Sequence, residues 1–215
     1  MSYKLYNRVG SGGFAVEAAL TLTRQPFELI TIESAPSTPL PESFRAINPW
    51  RQVPTLILPD GTVMTETGAI LIHLATCHPG DDVGPEPTTP EAARMLRWIV
   101  FLSANVYEAT LRRVYPERYT TQADGVEGMQ AAAVQRSDDA FALLEAELAD
   151  GGFLLGAGIS LADVYLAMLY AWHRGQRRDG LTALAHKVAG HDLIAPLWQR
   201  NFDHRMAIKW GRDVA

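Results

Sequence analysis

Apolar positions in the first third of the chain change period several times. Lys4-Leu5-Tyr6 is short and extended in character, and Gly10-Ser11-Gly12-Gly13 after it forms a turn. Phe14, Ala18 and Leu22 are spaced four apart. That spacing predicts a helix over Phe14 to Leu22, with Ser11 as its N-terminal cap and Pro26 as its stop. Phe27 to Ile32 is rich in apolar and β-branched residues and reads as a second strand. Ser34 to Pro41 holds three prolines and predicts a loop, and Glu42 to Ile47 predicts a short helix. Thr55 to Leu58 and Thr62 to Met64 flank Pro59-Asp60-Gly61, an Asp-Gly hairpin signal that makes these two strands antiparallel. Thr67 to Thr76 is helical, with Ile70, Leu71 and Leu74 on one side. The order is β-α-β, a loop with a short helix, then β-β-α. A crossover must join the first two strands.

Gly80 to Pro90 interrupts this alternation. Five of its eleven residues are Gly or Pro and the rest form no apolar face, so it reads as a linker. Beyond it the strand signal disappears. Glu91 to Arg113 carries Met95, Trp98, Leu102, Val106 and Tyr107 near helical spacing. Unbroken, it would be a helix about 34 Å long. Further helices are predicted over Val126 to Leu148, Leu161 to His173, Leu181 to Val188 and Ile194 to Phe202. The pattern therefore divides the chain into an α/β part, 1–79, a linker, 80–90, and an all-helical part, 91–215.

Composition narrows the function classes. The chain has 215 residues, net charge −5, 47% hydrophobic residues and one cysteine. Mild acidity argues against a nucleic-acid partner, which needs a basic stripe against phosphates. No run approaches the roughly 18 apolar residues of a membrane span, and Met1 to Gly10 lacks a signal-peptide core. A single thiol, Cys77, excludes an intrachain disulfide framework, a Cys-x-x-Cys pair and a thiolate zinc cluster. The expectation is a cytoplasmic globular protein that needs no metal.

Four short motifs carry candidate chemistry. Val53-Pro54 opens a strand. It is either an ordinary trans strand start or a cis bond that lets Val53 N–H and C=O pair with an extended peptide-like ligand. Glu66-Thr67 opens a helix. It is either a capping pair or a receptor for an amino-acid end, with the carboxylate taking the ammonium and the hydroxyl and free amides taking the carboxylate. Ser11 sits in a glycine-rich turn at another helix start, where a bound thiolate would meet amides, a hydroxyl and the positive end of the dipole. Ser160-Leu161-Ala162-Asp163 fits a capping box and is assigned to folding.

Taken in order, these motifs resemble the glutathione transferase superfamily. Gln52-Val53-Pro54 is similar to the loop before the family's cis proline, Glu66-Thr67 to its Glu-Ser pair, and Gly156 to Asp163 to the helix-capping motif of its helical domain. The resemblance implies a thioredoxin-like N-terminal domain followed by an all-α domain. It also implies a glutathione site. Val53 would pair with the cysteinyl part through its backbone, beside Pro54. Glu66 and Thr67 would hold the γ-glutamyl end, Gln52 would add a polar contact, and Arg51 would approach the glycyl carboxylate. The thiolate would sit at Ser11, the catalytic residue. Asn105, Tyr107 and Tyr115 would line a pocket for a small hydrophobic electrophile. Bacterial beta-type enzymes carry a cysteine in the turn, and an ungapped comparison puts Gly12 at its place, so the turn resembles the serine type. The implied activity is detoxifying conjugation of glutathione. The alternatives are glutathione-dependent isomerisation or dehalogenation, and a non-catalytic binding module. The family also implies a homodimer, with Leu40, Phe44 and Trp50 as apolar interface candidates.

Overall fold

The computed structural model describes residues 2–32, 42–150, 152–156 and 158–210, with side chains as far as residue 202. The three-proline loop expected over 34–41, with Leu40, lies outside the described residues, as does Ala157.

The N-terminal part is a four-stranded mixed sheet in the order β2-β1-β3-β4. β1 (Tyr3–Asn7) runs parallel to β2 (Phe27–Thr31), with Leu5 opposite Leu29. It runs antiparallel to β3 (Thr55–Ile57), with Leu5 opposite Leu56. β4 (Val63–Met64) pairs antiparallel with β3, as the Asp-Gly turn demands, and Gly61 takes the positive φ of 91° that this turn needs. Tyr3, Leu5 and Asn7 share the buried face of β1. α2 (Glu42–Arg45) buries Phe44 against Tyr6, ring centroids 5.5 Å apart. Phe44 is therefore a core residue, which corrects its reading as an interface candidate. Trp50 is 74% exposed.

Between sheet and helical part lies α1 (Gly13–Leu22). It begins one residue earlier than the apolar spacing suggests, and Gly12 holds the N-cap position in place of Ser11. All its residues except Thr21 are buried. A helix sealed on every side is apolar all round, and among the buried residues of this one the single exception is Glu17. It packs on β1, on α3 (Thr67–Cys77), on α7 (Leu161–Trp172) and on α9 (Ala195–Trp210). Trp198 and Phe202 of α9 hold Phe14 edge-on, at 5.4 and 4.9 Å. Arg200 pairs with the buried Glu17.

The long helix expected over Glu91 to Arg113 is continuous, but it is not α-helical throughout. α4 (Pro90–Phe101) passes into a π-helical segment (Leu102–Tyr107), and α5 (Glu108–Val114) follows. The ladder is contested there by side chains. Ser103 Oγ donates to Ile99 C=O at 2.9 Å and Asn105 Nδ2 to Phe101 C=O at 3.2 Å. α6 (Val126–Ala146) and α8 (Asp179–Ala189) complete the helical domain. α9 extends well past the expected end at Phe202.

The Gly80 to Pro90 segment is packed, not extended. Gly80 and Gly84 exchange backbone hydrogen bonds at 3.0 and 3.1 Å, closing a loop that turns Val83 inward, to 3% exposure. Val83 C=O accepts Leu161 N–H at 2.9 Å, which ties the segment to the start of α7. At that start Asp163, fully buried, accepts Ser160 N–H and Ser160 Oγ–H with one oxygen and Leu154 N–H with the other. The capping-box reading of Ser160 and Asp163 is borne out.

Asp163→Ala should lower the unfolding free energy by about 3 kcal/mol, since two buried N–H groups lose their acceptor. Urea denaturation measures it. Burial raises the Asp163 carboxyl to about 6 from its ordinary 3.8. A raised folded-state value means that the folded chain binds the extra proton between these limits. Its share of stability therefore grows as pH falls from about 6 toward 3.8 and is lost above. That increment should be absent in Asp163→Asn.

Candidate functional site

The loop from β1 into α1 is fixed atom by atom. Asn7, 4% exposed, accepts Arg8 N–H at 2.7 Å and Ser11 Oγ–H at 2.8 Å through Oδ1. Ser11 Oγ accepts Gly13 N–H at 3.2 Å, so Ser11 serves the helix start without occupying the N-cap. Gly10 takes a positive φ of 73°, and its N–H is held by Asn201 Oδ1 of α9 at 2.8 Å. Two positions require glycine for space. A Cβ on Gly13 would lie 1.9 Å from Asn7 Oδ1, and a Cβ on Gly12 would meet Tyr107 Oη at 2.7 Å and Thr67 Oγ1 at 2.9 Å.

Beside this turn stands the segment before β3. Val53-Pro54 is cis, as one of the two sequence readings requires. Buried Asn48 braces it, donating through Nδ2 to Gln52 C=O at 2.8 Å and Thr55 Oγ1 at 3.0 Å. Among the described residues, neither Val53 N–H nor Val53 C=O has a hydrogen-bond partner. Pro54 is buried, Gln52 is exposed, and Arg51 stands at a positive φ of 59° with its guanidinium 3.9 Å from the Glu42 carboxylate.

The third element is the start of α3. Glu66 is its N-cap, at φ 66° and ψ 110°, a backbone region that non-glycine residues rarely adopt outside functional sites. The conformation leaves its carboxylate exposed and without an ion-pair partner among the described residues. Thr67, the first helical residue, is buried and donates Oγ1–H to Gly12 C=O at 3.4 Å. The hydroxyl thus links the two helix starts, and the free N–H groups of the first turn of α3 stay open to an anion.

The π-helical segment closes the site from above. It approaches α3 closely: a Cβ on Gly68 would lie 2.3 Å from Ser103 Oγ. Tyr107 lies against Trp172 at 5.8 Å and Tyr165 at 6.4 Å. Burial first, then the neighbouring Tyr115 and Glu66, push its phenol up to about 12, against the opposing pull of Arg8 and Arg118. Tyr115 carries the Arg118 guanidinium over its ring at 4.0 Å. Asn105 is directed elsewhere, toward α6, where its Oδ1 accepts from Arg136 at 2.7 Å. Cys77 lies at the opposite end of α3 with its Sγ 3.8 Å from the His73 ring.

The structure thus brings together Ser11, Thr67 and Tyr107 around Gly12, with Glu66 beside them. Sequence reasoning missed Asn7 and Asn201. The signal for Asn201 was present: it falls three residues after Trp198 and beside Phe202, on the buried face of α9. For Asn7 the signal was its place in phase with Tyr3 and Leu5.

Two family models match the chain. One, "Glutathione S-transferase, N-terminal domain", covers residues 14–77. The other, "Glutathione S-transferase, C-terminal domain", covers residues 103–182. An uncharacterized GST-like protein of Escherichia coli K12, YncG, is 29% identical over 204 residues, covering 92% of this chain and 98% of its own length. Glutathione S-transferase GST-4.5 of Xanthomonas campestris is 29% identical over 191 residues, covering 84% and 88%. Among solved structures, a glutathione transferase homologue from Sulfitobacter with bound glutathione superposes with a TM-score of 0.81 at 27% identity, covering 94% of this chain and 99% of that one. A sphingomonad glutathione S-transferase complexed with glutathione gives 0.76 at 26%, covering 91% and 97%.

Asn201→Ala should release the Gly10 amide. Its hydrogen exchange should speed about tenfold as about 1–2 kcal/mol of local stabilisation is lost, with the amides of β3 unaffected.

Proposed function

Because the chain belongs to the glutathione S-transferase superfamily, we propose that it binds glutathione across the β1–α1 turn, the segment before β3 and the start of α3, and transfers the thiolate to a small hydrophobic electrophile. Residues 1–79 hold the tripeptide and residues 91–215 supply the electrophile side. The observation that carries the reading is the unpaired backbone of Val53. A peptide N–H and C=O left open beside a buried Pro54 match the hydrogen-bonding needs of an extended peptide. Glu66 supports it. A carboxylate held at an unusual backbone angle, with no cation paired to it among the described residues, is suited to an α-ammonium, and the first-turn amides of α3 to the adjoining carboxylate. Arg51 and Gln52 border the same segment and serve the glycyl end.

The chemistry needs little beyond placement. The thiol loses its proton to water, and the thiolate keeps the electron pair. That pair forms the new C–S bond while the leaving group departs with its own pair, or a double bond takes up the charge. The amides at the start of α1, the positive end of its dipole and the hydroxyls around Gly12 favour the anion. Tyr115 borders the electrophile side. The supply of the reactive sulfur by a bound tripeptide agrees with Cys77 lying at the far end of α3. The proposed setting is the cytoplasm, as a homodimer with the exposed Trp50 in the interface.

Calorimetry with glutathione tests the reading. Binding should appear at or below millimolar concentration and weaken about tenfold in Glu66→Gln, the loss of one charge-assisted contact. No binding at millimolar concentration would leave the fold as a non-catalytic module. A panel of electrophiles and cis-trans enoic acids separates transfer from isomerisation.

A further inference from the structure

Three hydroxyls face the start of α1, and they differ in what they have left to give: that of Thr67 donates its proton to Gly12 C=O at 3.4 Å. A serine hydroxyl carries a single proton. That of Ser11 goes to Asn7 Oδ1 at 2.8 Å, while its oxygen accepts Gly13 N–H at 3.2 Å. Asn7 is buried directly beneath Gly13, so the pair is locked in place. Tyr107 reaches the same turn from the helical side. Its Oη lies 2.7 Å, and its Cε2 3.3 Å, from the point a Cβ on Gly12 would occupy. Gly12 has φ −59°, an ordinary right-handed conformation, so the backbone does not call for glycine there; the phenol does, together with the Thr67 hydroxyl 2.9 Å from the same point. Among the described residues the Tyr107 hydroxyl has no hydrogen-bond partner.

We propose that Tyr107 holds the glutathione thiolate: its hydroxyl donates to the sulfur from the space a side chain at position 12 would fill, and Ser11 shapes the turn beneath. The inference rests on the glutathione reading above and moves Tyr107 from the electrophile pocket to the reacting sulfur. The thiol proton passes to water, and the phenol keeps its own proton as the donor. A phenol at its ordinary value of 10.0 already carries its proton across the physiological range, and burial, with Tyr115 and Glu66, moves it further from ionisation against the pull of Arg8 and Arg118. Gly12 and Tyr107 then form one device. The glycine makes room, and the helical domain delivers the functional group into a turn that belongs to the sheet domain.

The test is the pH at which bound glutathione ionises, followed by thiolate absorbance in the ultraviolet. Tyr107→Phe should raise it by about one to two units, a ten- to hundredfold loss of thiolate preference. Affinity for S-methylglutathione, which has no thiol, should stay unchanged. Ser11→Ala should shift the ionisation less. Gly12→Ala, which displaces the phenol, should reproduce the Tyr107→Phe shift and add little to it in the double variant. A Tyr107→Phe protein with unchanged ionisation overturns the inference alone. So do a larger shift in Ser11→Ala and additive effects of the Gly12 and Tyr107 substitutions. If the unaltered protein fails to bind glutathione, the reading beneath falls and the inference with it.

Discussion

The enclosure of α1 is the constraint on which the rest depends. One helix, buried on all sides, is shared as core by the sheet and by α3, α7 and α9. Its N-terminus cannot move without moving something else. Asn7 holds it from β1, Thr67 from α3, Asn201 from α9 and the Tyr107 ring from the π-helical segment. A dipole aimed at a ligand is useful only if it is already aimed, because reorientation at the moment of reaction would cost what the field supplies. Close packing provides that rigidity here. Glu17 fits the same scheme: a carboxylate in an otherwise apolar helix is tolerated because Arg200 meets it, which fixes α9 in register on α1.

The two halves of the chain contribute different kinds of order. The sheet half contributes backbone in unusual states: a cis bond at Pro54, positive φ at Arg51 and Glu66, and a Val53 with no hydrogen-bond partner among the described residues. The helical half contributes side chains. The loop around Val83 joins them, and its hydrogen bond to Leu161 places it at the same helix start that Asp163 caps. The cap and the connection therefore share one anchor, the start of α7, which packs on α1.

Much of this was legible in the residues. The Asp-Gly hairpin, the β-α-β order, the long helices and the Ser160–Asp163 cap each rest on short-range rules that a sequence displays directly. Glu66, Thr67 and Pro54 were equally readable as a capping pair and a strand start, and their order along the chain with the other motifs singled them out. What stayed hidden depends on contacts distant in sequence. The helical spacing of Met95, Trp98 and Leu102 runs on smoothly, so nothing marks the wider turn over Leu102–Tyr107. Val83 looks polar in company, since its neighbours are Asp and Gly, and only the Gly80–Gly84 closure turns it inward. Asn105 and Tyr107 look equivalent along the chain, yet one faces α6 and the other Gly12. Asn201 acts across 191 positions, a span no local pattern reports.

The π-helical segment has a further consequence, for how such a site changes over evolutionary time. A π turn is an α turn with one residue too many. Deleting a single residue between 102 and 107 would restore a regular ladder with little rotation of one flank against the other, because the six residues of the π segment sweep about as far round the axis as five in an α-helix. α4 and α5 would keep their seats, and only the side chains between them would be dealt afresh. A single codon gained or lost, with no change at the sheet domain, therefore exchanges the groups that this segment presents to α3 and the turn. Glycine at position 12 records which arrangement this chain has settled on.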